Sequence, residues 1–273
     1  MIRLIDFFGA FDLRIADADT QILTEATIDS RRVLPGSVFF AIKGDRVDGH
    51  RFIPQAIANG AQLIVMDQDA PCDIPVLELE DCSTNKAQII PEMPFAIKVP
   101  NTLLALQKIA AHQRKVIAPH VIGITGSVGK SSTKELVAEV LAQHYHTHKN
   151  PGNYNNEIGL PLTLLNSGYG HECIVLEMGF YYPGEIQFLC EIAAPQVGIV
   201  TNIGTVHAER AGSQQMIANG KAELVQALPS TGVAILNYDD TLVRPMAEKT
   251  NARVLFYGLT PQAHLWADDI QGK

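Results

Sequence analysis

From Val121 onward, apolar β-branched segments alternate with helical segments, and this alternation limits the possible folds more than any other feature. The strand-like segments are "VIGIT", "ECIVLEM", "VGIVTN", "GVAILN" and "RVLFYG". Helical patterns lie between them at residues 131–143, 183–192 and 213–228. Such alternation builds a mainly parallel sheet with helices on both faces. The sequence therefore predicts an α/β fold for residues 121–273.

The first 99 residues predict a smaller α/β unit. The segments "ATIDS", "VFFAI", "QLIVM" and "FAIKVP" are strand-like, and "HRFIPQAIANGA" is a helical pattern that ends at Gly60. Residues 71–94 are rich in proline and polar residues and predict a surface excursion. An amphipathic helix follows, which starts at Asn101 and ends before Pro119. We expect an N-terminal domain over 1–99, a connecting helix over 100–120 and a larger domain over 121–273.

Polar residues follow four of the predicted strands in the larger domain. They are residues 127–131, Glu177, residues 202–207 and residues 237–240. Ligands of open parallel sheets bind at the carboxyl ends of the strands. We therefore expect these four loops to meet at one rim.

The loop after the first of these strands, "GSVGKSS", has the parts of a phosphate site although the strict P-loop spacing fails at Ile124. Gly126 and Gly129 permit positive φ, so that backbone N–H groups can face an anion. The helix that begins at Ser131 adds a positive end. Lys130 would contact terminal phosphates, and the Ser131 hydroxyl has the usual position of a Mg²⁺ ligand. An ordinary glycine turn before a surface helix is the alternative.

Three further side chains could carry chemistry in the larger domain. Glu177 ends a buried strand and is either a Mg²⁺ ligand or a cap of the next helix. His207 is either a metal or phosphate contact or a structural histidine. Lys221 lies in the middle of a helix, where a solvated lysine is the default interpretation.

Two polar loops suit ligand recognition as well as ordinary turn formation. The segment "NPGNYNNEIGLPLTLL" contains four asparagines within seven residues, which favour either a turn or the binding of polar groups. The segment "DSRRVLPGSVFFAIKGDRVDGH" sets five polar side chains around turns, as would suit a phosphorylated ligand. These five are Ser30, Arg31, Lys43, Asp48 and His50.

Charge and cysteine content narrow the function classes. The formal net charge is −8 without any basic run, which disfavours non-specific nucleic-acid binding. The four cysteines show no CxxC spacing and predict free thiols in a reducing cytoplasm. No segment reaches about 18 continuous apolar residues, and the first residues lack a signal-peptide cleavage site. We expect a protein that is neither secreted nor inserted in a membrane.

Together these segments resemble the Mur ligase family across the entire chain. "DSRRVLPGSVFFAIKGDRVDGHRFIPQAIANGA" is similar to the family's N-terminal UDP-substrate-binding domain, and "GITGSVGKSS" is similar to its own P-loop variant. "TNIGTVHAERAGS" and "GKAEL" continue the resemblance. "STKELVAEVL", "NYNNEIGLPLTLL" and "LEMGFYYPGEI" are similar to the type that joins D-alanyl-D-alanine to a UDP-N-acetylmuramoyl tripeptide. The type that adds the third peptide residue, which lacks this form of the asparagine-rich loop, is the alternative.

The resemblance implies an ATP- and Mg²⁺-dependent amide ligase of peptidoglycan precursor synthesis. ATP would phosphorylate the terminal carboxylate of the UDP-linked peptide, and the amine of D-alanyl-D-alanine would attack the acyl phosphate. Electrostatic stabilisation of the transferring phosphoryl group is the main catalytic effect expected. The resemblance also implies these two substrates as partners, and we expect a cytoplasmic monomer.

Residue roles follow from the same resemblance. The residues expected to be catalytic are Lys130, Glu177, His207 and Lys221. The Mg²⁺ ligands would be Ser131, Glu177, His207 and a carbamylated Lys221. Nucleotide contacts are expected from Thr125, Gly126, Ser127, Val128, Gly129, Lys130, Ser131, Ser132 and Asn156. Substrate contacts are expected from Ser30, Arg31, Lys43, Gly44, Asp48, His50, Asn153 and Asn155.

The chain ends at "LWADDIQGK", whereas family members continue through the rest of the ATPase domain and a third domain. We expect either the front portion of a longer ligase or a natural truncation. A catalytically incomplete module that only binds UDP-peptide and ATP is therefore an alternative function. A P-loop kinase or GTPase is a further alternative, but "TNIG" lacks the Lys and Asp that read guanine.

Overall fold

A computed structural model describes residues 1–13, 21–79, 90–204 and 213–270. The chain divides into one unit of Met1–Ile117 with Leu164–Tyr169 and another of Ala118–Thr163 with Gly170–Lys273. The described α-helices are α1 (Leu4–Gly9), α2 (Ile53–Ala58), α3 (Thr102–Ile117), α4 (Lys130–Leu141), α5 (Gly159–Asn166), α6 (Glu185–Ala193) and α7 (Gln214–Gln226). Short 3₁₀ helices cover Ser30–Arg32, Gly49–Phe52 and Arg244–Lys249. The described strands are β1 (Ile2–Arg3), β2 (Ile22–Leu23), β3 (Ala26–Thr27), β4 (Val38–Phe40), β5 (Leu63–Met66), β6 (Val76–Glu78), β7 (Phe95–Lys98), β8 (His120–Thr125), β9 (Thr147–Lys149), β10 (Cys173–Glu177), β11 (Val197–Val200), β12 (Val233–Asn237), β13 (Arg253–Gly258) and β14 (Leu265–Trp266).

The first unit contains a five-stranded sheet in the order β3-β4-β5-β7-β6, and every strand pair in it is parallel. All residues of β5 are buried, as the continuous apolar run "LIVM" predicts for a central parallel strand. Strand β6 lies within the stretch that the sequence predicted as a surface excursion. Helix α3, expected as a connector, belongs to this unit.

The second unit contains a seven-stranded sheet in the order β14-β13-β12-β11-β8-β10-β9. Its pairs are all parallel, so the predicted α/β class with parallel sheets is confirmed. Strand β8 is central, between β10 and β11. The chain leaves β8 for β9 and then β10 on one side, and it then crosses to β11 on the other side. This reversal of direction opens a crevice at the carboxyl end of β8, where ligands of such sheets bind.

The strand ends coincide at that crevice because the register aligns them. Glu177 lies beside Ile124 across the β8–β10 pair, and Val200 lies beside Thr125 across the β8–β11 pair. The loops that follow β8, β10 and β11 therefore begin at the same edge of the sheet. The rim predicted from the strand pattern has this arrangement.

The helices and the cysteines bear on the predicted protein class. Within the described ranges, no helix combines the length and apolar character that crossing a bilayer requires. Cys173 and Cys190 are buried free thiols, and Cys72 is a partly exposed one. Cys82 lies outside the described residues.

Candidate active site

The loop between β8 and α4 has a backbone that depends on two glycines. Gly126 has φ of +150° and Gly129 has φ of +84°, which disfavours residues with a Cβ. A Cβ on Gly126 would also lie 1.8 Å from Oγ1 of Thr201. Helix α4 begins directly after Gly129, so its unpaired N–H groups adjoin the loop. This geometry matches the nest and helix end that the sequence predicted for an anion.

The segment that follows β11 holds the loop in shape. The Asn202 side chain pairs with both polar groups of Val128: Oδ1 accepts from its N–H at 3.0 Å, and Nδ2 donates to its carbonyl at 2.8 Å. The Thr201 hydroxyl donates to the same carbonyl at 2.7 Å. The Ser127 N–H donates to the Asn202 carbonyl, and the Ser127 hydroxyl accepts from the Gly204 N–H.

The strand pattern predicted that residues 202–207 lie at the rim, but it did not predict this role for Asn202. The available signal was the "TN" pair at the end of a strand that neighbours the phosphate loop. An asparagine there offers both a donor and an acceptor, which is what pairing with a peptide group requires.

Two lysines meet at one carbonyl oxygen of the loop. Lys130 Nζ and Lys221 Nζ each donate to the Gly126 carbonyl at 3.0 Å. Lys221 is buried on α7, and its ammonium lies 5.2 Å from the centre of the Phe180 ring. Burial, and then the positive charge of Lys130, lower the pKa of Lys221 to about 7. The interpretation of Lys221 as a solvated surface lysine is therefore wrong.

Glu177, which is buried, and Ser131, which is exposed, form a pair of oxygen-bearing side chains beside the loop. The Ser131 hydroxyl donates to Oε2 of Glu177 at 2.7 Å, and Asn155 Nδ2 donates to Oε1 at 2.8 Å. Glu177 is 3% exposed, and both of these donors are neutral. A buried carboxylate is normally paired or bound to a metal, and Mg²⁺ prefers such hard oxygen ligands. The pair therefore fits a Mg²⁺ site.

Several predicted residues of the second unit have other contacts. Asn156 Oδ1 accepts from the Gly159 N–H at the start of α5, so this side chain caps a helix. Thr125 is buried, and its hydroxyl donates to the Met178 carbonyl. Asn153 is exposed, and its carbonyl accepts from the Asn155 N–H. Their predicted ligand roles stay predictions that these contacts do not support.

Two further predicted site residues of the second unit are Ser132, which the structure describes, and His207, which it does not. Ser132 is exposed and lies in the first turn of α4, next to the loop. His207 lies outside the described residues, so its predicted metal role stays a prediction. Among the residues that are described, no cluster of three or more His, Cys, Asp or Glu side chains could hold a metal ion.

In the first unit, His50 is a buried structural residue. Its Nδ1 lies 2.7 Å from Oδ1 of Asp48, and its Nε2 lies 3.2 Å from Oδ1 of Asp67. The hydrogen bond with His50 lowers the pKa of Asp48 to about 2. Both ring nitrogens are thus engaged within the unit, and these contacts do not support the predicted role of His50 in substrate binding.

The remaining predicted residues of the first unit lie on two turns. Arg31 is exposed and paired with Asp29 at 2.7 Å, whereas the Ser30 hydroxyl is buried and donates to Gln55. Lys43 and Gly44 are exposed in the turn between β4 and the 3₁₀ helix Gly49–Phe52. Arg31, Lys43 and Gly44 are therefore accessible to a ligand.

Two protein-family models match the chain. The family described as Mur ligase middle domain matches residues 124–273, which is more than half of the chain. The chain belongs to the Mur ligase family. A second match, described as Mur ligase family, catalytic domain, covers residues 23–114. The resemblance predicted from the sequence is confirmed, and the family is one of ATP-dependent ligases.

Relatives within the Mur ligases are named for one reaction. The UDP-N-acetylmuramoyl-tripeptide–D-alanyl-D-alanine ligase of Synechocystis is 40% identical over 232 residues, which is 85% of this chain and 47% of that protein. The ligase of the same name from Bacillus subtilis is 37% identical over 79% of this chain and 44% of that protein. The chain thus spans about half the length of the curated relatives it matches.

Solved structures of MurF resemble the chain as well. The Acinetobacter baumannii MurF structure has a TM-score of 0.80 at 27% identity, covering 97% of this chain and 55% of that one. The Thermotoga maritima MurF ligase in complex with ADP has a TM-score of 0.69 at 32% identity, covering 88% of this chain and 51% of that one.

The buried amine of Lys221 is expected to make stability depend on pH. Its pKa rises from about 7 in the folded chain to the ordinary 10.5 on unfolding. Between these values the folded state binds fewer protons, so the wild type gains stability as pH rises, by at most about 1.4 kcal/mol per pH unit. Lys221→Met removes this contribution. Urea unfolding of both proteins at several pH values above about 7 checks the difference, and parallel curves would contradict it.

Asn202→Ala is expected to weaken ADP binding about tenfold, because the Val128 peptide group loses two hydrogen bonds that shape the loop. Isothermal titration of the chain with ADP measures the change. Asn219→Ala, on the exposed surface of α7, is the matched control and should bind ADP like the wild type. Equal affinities of wild type and Asn202→Ala would show that the loop keeps its shape without this side chain.

Proposed function

We propose that this chain carries UDP-substrate-binding and ATP-binding parts of a UDP-N-acetylmuramoyl-tripeptide–D-alanyl-D-alanine ligase. The observation that carries the proposal is the joint presence, at one sheet edge, of a glycine nest, a helix N-terminus, two lysines and the Ser131–Glu177 pair. The names of the relatives support this member of the family over the one that adds the third peptide residue.

The residues of the loop fit the phosphates of ATP. Backbone N–H groups of the nest and the first turn of α4 would bind phosphate oxygens, and Lys130 would add a mobile positive charge. Lys130 currently donates to the Gly126 carbonyl, which is a bond it can exchange for a phosphate oxygen. In the reaction, Lys130 would stabilise charge on the transferring group, with little covalent chemistry from the protein.

Ser131 and Glu177 would hold Mg²⁺, which when bound supplies positive charge to the phosphates. Both side chains offer hard oxygen atoms, and the Ser131 hydroxyl already points at Oε2 of Glu177. Asn155 would keep the other carboxylate oxygen oriented through its amide. His207 is proposed as a further ligand on the strength of the family resemblance.

Lys221 is proposed to be carbamylated. A buried amine with a pKa lowered to about 7 is largely neutral at slightly alkaline pH. Its nitrogen can then attack CO₂ and release a proton, which turns a cation into a carboxylate-like ligand. That change would also remove the repulsion between the two ammonium groups at the Gly126 carbonyl. Electron density for a carboxylate on Nζ in crystals grown with bicarbonate tests this, and a bare amine there would refute it.

The first unit is proposed to bind the UDP-linked peptide. Support comes from the family match over residues 23–114 and from the exposed polar residues of its turns, which suit a phosphorylated ligand. Arg31 offers a guanidinium for a phosphate, and Lys43 offers an exposed ammonium.

Isothermal titration with ATP and Mg²⁺, and separately with UDP-N-acetylmuramoyl tripeptide, tests the proposal. We expect the wild-type chain to bind both. Lys130→Ala should weaken ATP binding by about 10- to 100-fold, the effect of losing a charge-assisted hydrogen bond, and leave UDP-peptide binding unchanged. Lys115→Ala, at an exposed position of α3, is the control. A chain that binds neither ligand would overturn the proposal.

A further inference from the structure

Lys134 is a buried lysine that the proposed reaction leaves without a role. It lies on α4, one turn after Lys130 and Ser131, and is 1% exposed. An ammonium group removed from water costs several kcal/mol unless it is paired and hydrogen-bonded. Its partners therefore indicate what the buried charge is used for.

All the donors of this ammonium have an acceptor nearby. Nζ donates to the Asn150 carbonyl at 2.9 Å and to the Gly152 carbonyl at 3.2 Å. Oε1 of Glu135 lies 3.3 Å from Nζ. Two of the three acceptors thus belong to the backbone of the loop between β9 and α5, and Lys134 ties that loop to α4.

The same loop fixes Glu177. Asn150 is fully buried, and its Oδ1 accepts from the Glu177 N–H at 2.9 Å while its Nδ2 donates to the Glu177 carbonyl at 3.1 Å. Asn155, further along the loop, donates to Oε1 of Glu177 at 2.8 Å. The loop therefore forms hydrogen bonds with both the backbone and the carboxylate of Glu177.

We propose that Lys134 is a positioning residue for the metal-binding pair of Ser131 and Glu177. Helix α4 carries the Ser131 hydroxyl directly, and through Lys134 it also holds the loop that orients the Glu177 carboxylate. The hydroxyl and the carboxylate are thus set from one rigid element. This inference rests on the proposed binding of ATP with Mg²⁺, because Lys134 contacts neither ligand of the metal and acts through Asn150 and Asn155.

A positioning role and a purely structural role predict different results. If Lys134 only supported the fold, its loss would change ATP binding equally with and without Mg²⁺. If it positions the pair, its loss affects the Mg²⁺-dependent part of ATP binding and leaves metal-free binding to the loop unchanged. Partners of metal ligands typically change metal affinity by about 10- to 100-fold.

The experiment measures ATP affinity by isothermal titration over a series of Mg²⁺ concentrations and in excess EDTA. For Lys134→Met we expect the Mg²⁺ concentration at half effect to rise about tenfold or more, with unchanged affinity in EDTA. Lys115→Met, the same replacement at an exposed position, should match the wild type. Circular dichroism checks that each variant is folded.

Asn155→Ala tests the same path with Lys134 in place, which covers the case in which Lys134→Met does not fold. It removes the contact between the loop and the Glu177 carboxylate, and it should shift the Mg²⁺ dependence in the same direction. A folded Lys134→Met, or an Asn155→Ala, with the Mg²⁺ dependence of the wild type would overturn the inference. A wild type whose ATP binding does not respond to Mg²⁺ would instead overturn the proposed metal site on which the inference rests.

Discussion

The parallel pairing of β8 with β10 and β11 is the constraint on which the rest of the second unit depends. Because the three strands run in one direction and end in register, their loops start at a common edge. The phosphate loop, Glu177 and the Thr201–Asn202 segment come together there from distant parts of the sequence. These parts stabilise one another. Asn202 holds the phosphate loop in shape, and the loop leads directly into the helix whose Ser131 contacts Glu177.

The basic and acidic side chains at this edge of the sheet lie at two different places. Lys130 and Lys221 lie at the Gly126 carbonyl, whereas the Glu177 carboxylate faces the Ser131 hydroxyl on α4. Under the proposed function, a polyanion and a cation would bind side by side, each opposite groups that favour it. The family's ATP-dependent chemistry requires that combination, because phosphoryl transfer depends on positioning and electrostatics more than on covalent steps.

Much of this could be predicted from the sequence because it follows from local rules. Hydrophobic periodicity predicted the parallel sheet. The Gly-Lys-Ser run and the strand-end Glu177 led to a predicted anion site and a predicted metal site at its edge, and these two sites stay predictions. The rest depends on contacts between distant segments. A lysine in "STKEL" has the pattern of a solvated helix residue, and only the fold shows that Lys134 is buried against carbonyl groups. Likewise Asn156 and His50 are residue types that often bind ligands. In the structure, however, Asn156 caps a helix and His50 contacts Asp48 within a turn.

The shared Gly126 carbonyl has a consequence for the charge of the site. Burial, and then the positive charge of Lys130, lower the pKa of Lys221, so two ammonium groups at one oxygen are unfavourable. Losing the Lys221 proton, or carbamylating its nitrogen as proposed, relieves that repulsion before any ligand contact forms. Lys130 then remains as the positive charge at this carbonyl, so the charge that a bound anion meets depends on the state of Lys221. A Cβ on Gly126 would lie 1.8 Å from Oγ1 of Thr201, which leaves no room for a larger residue at the position that brings the two amines together.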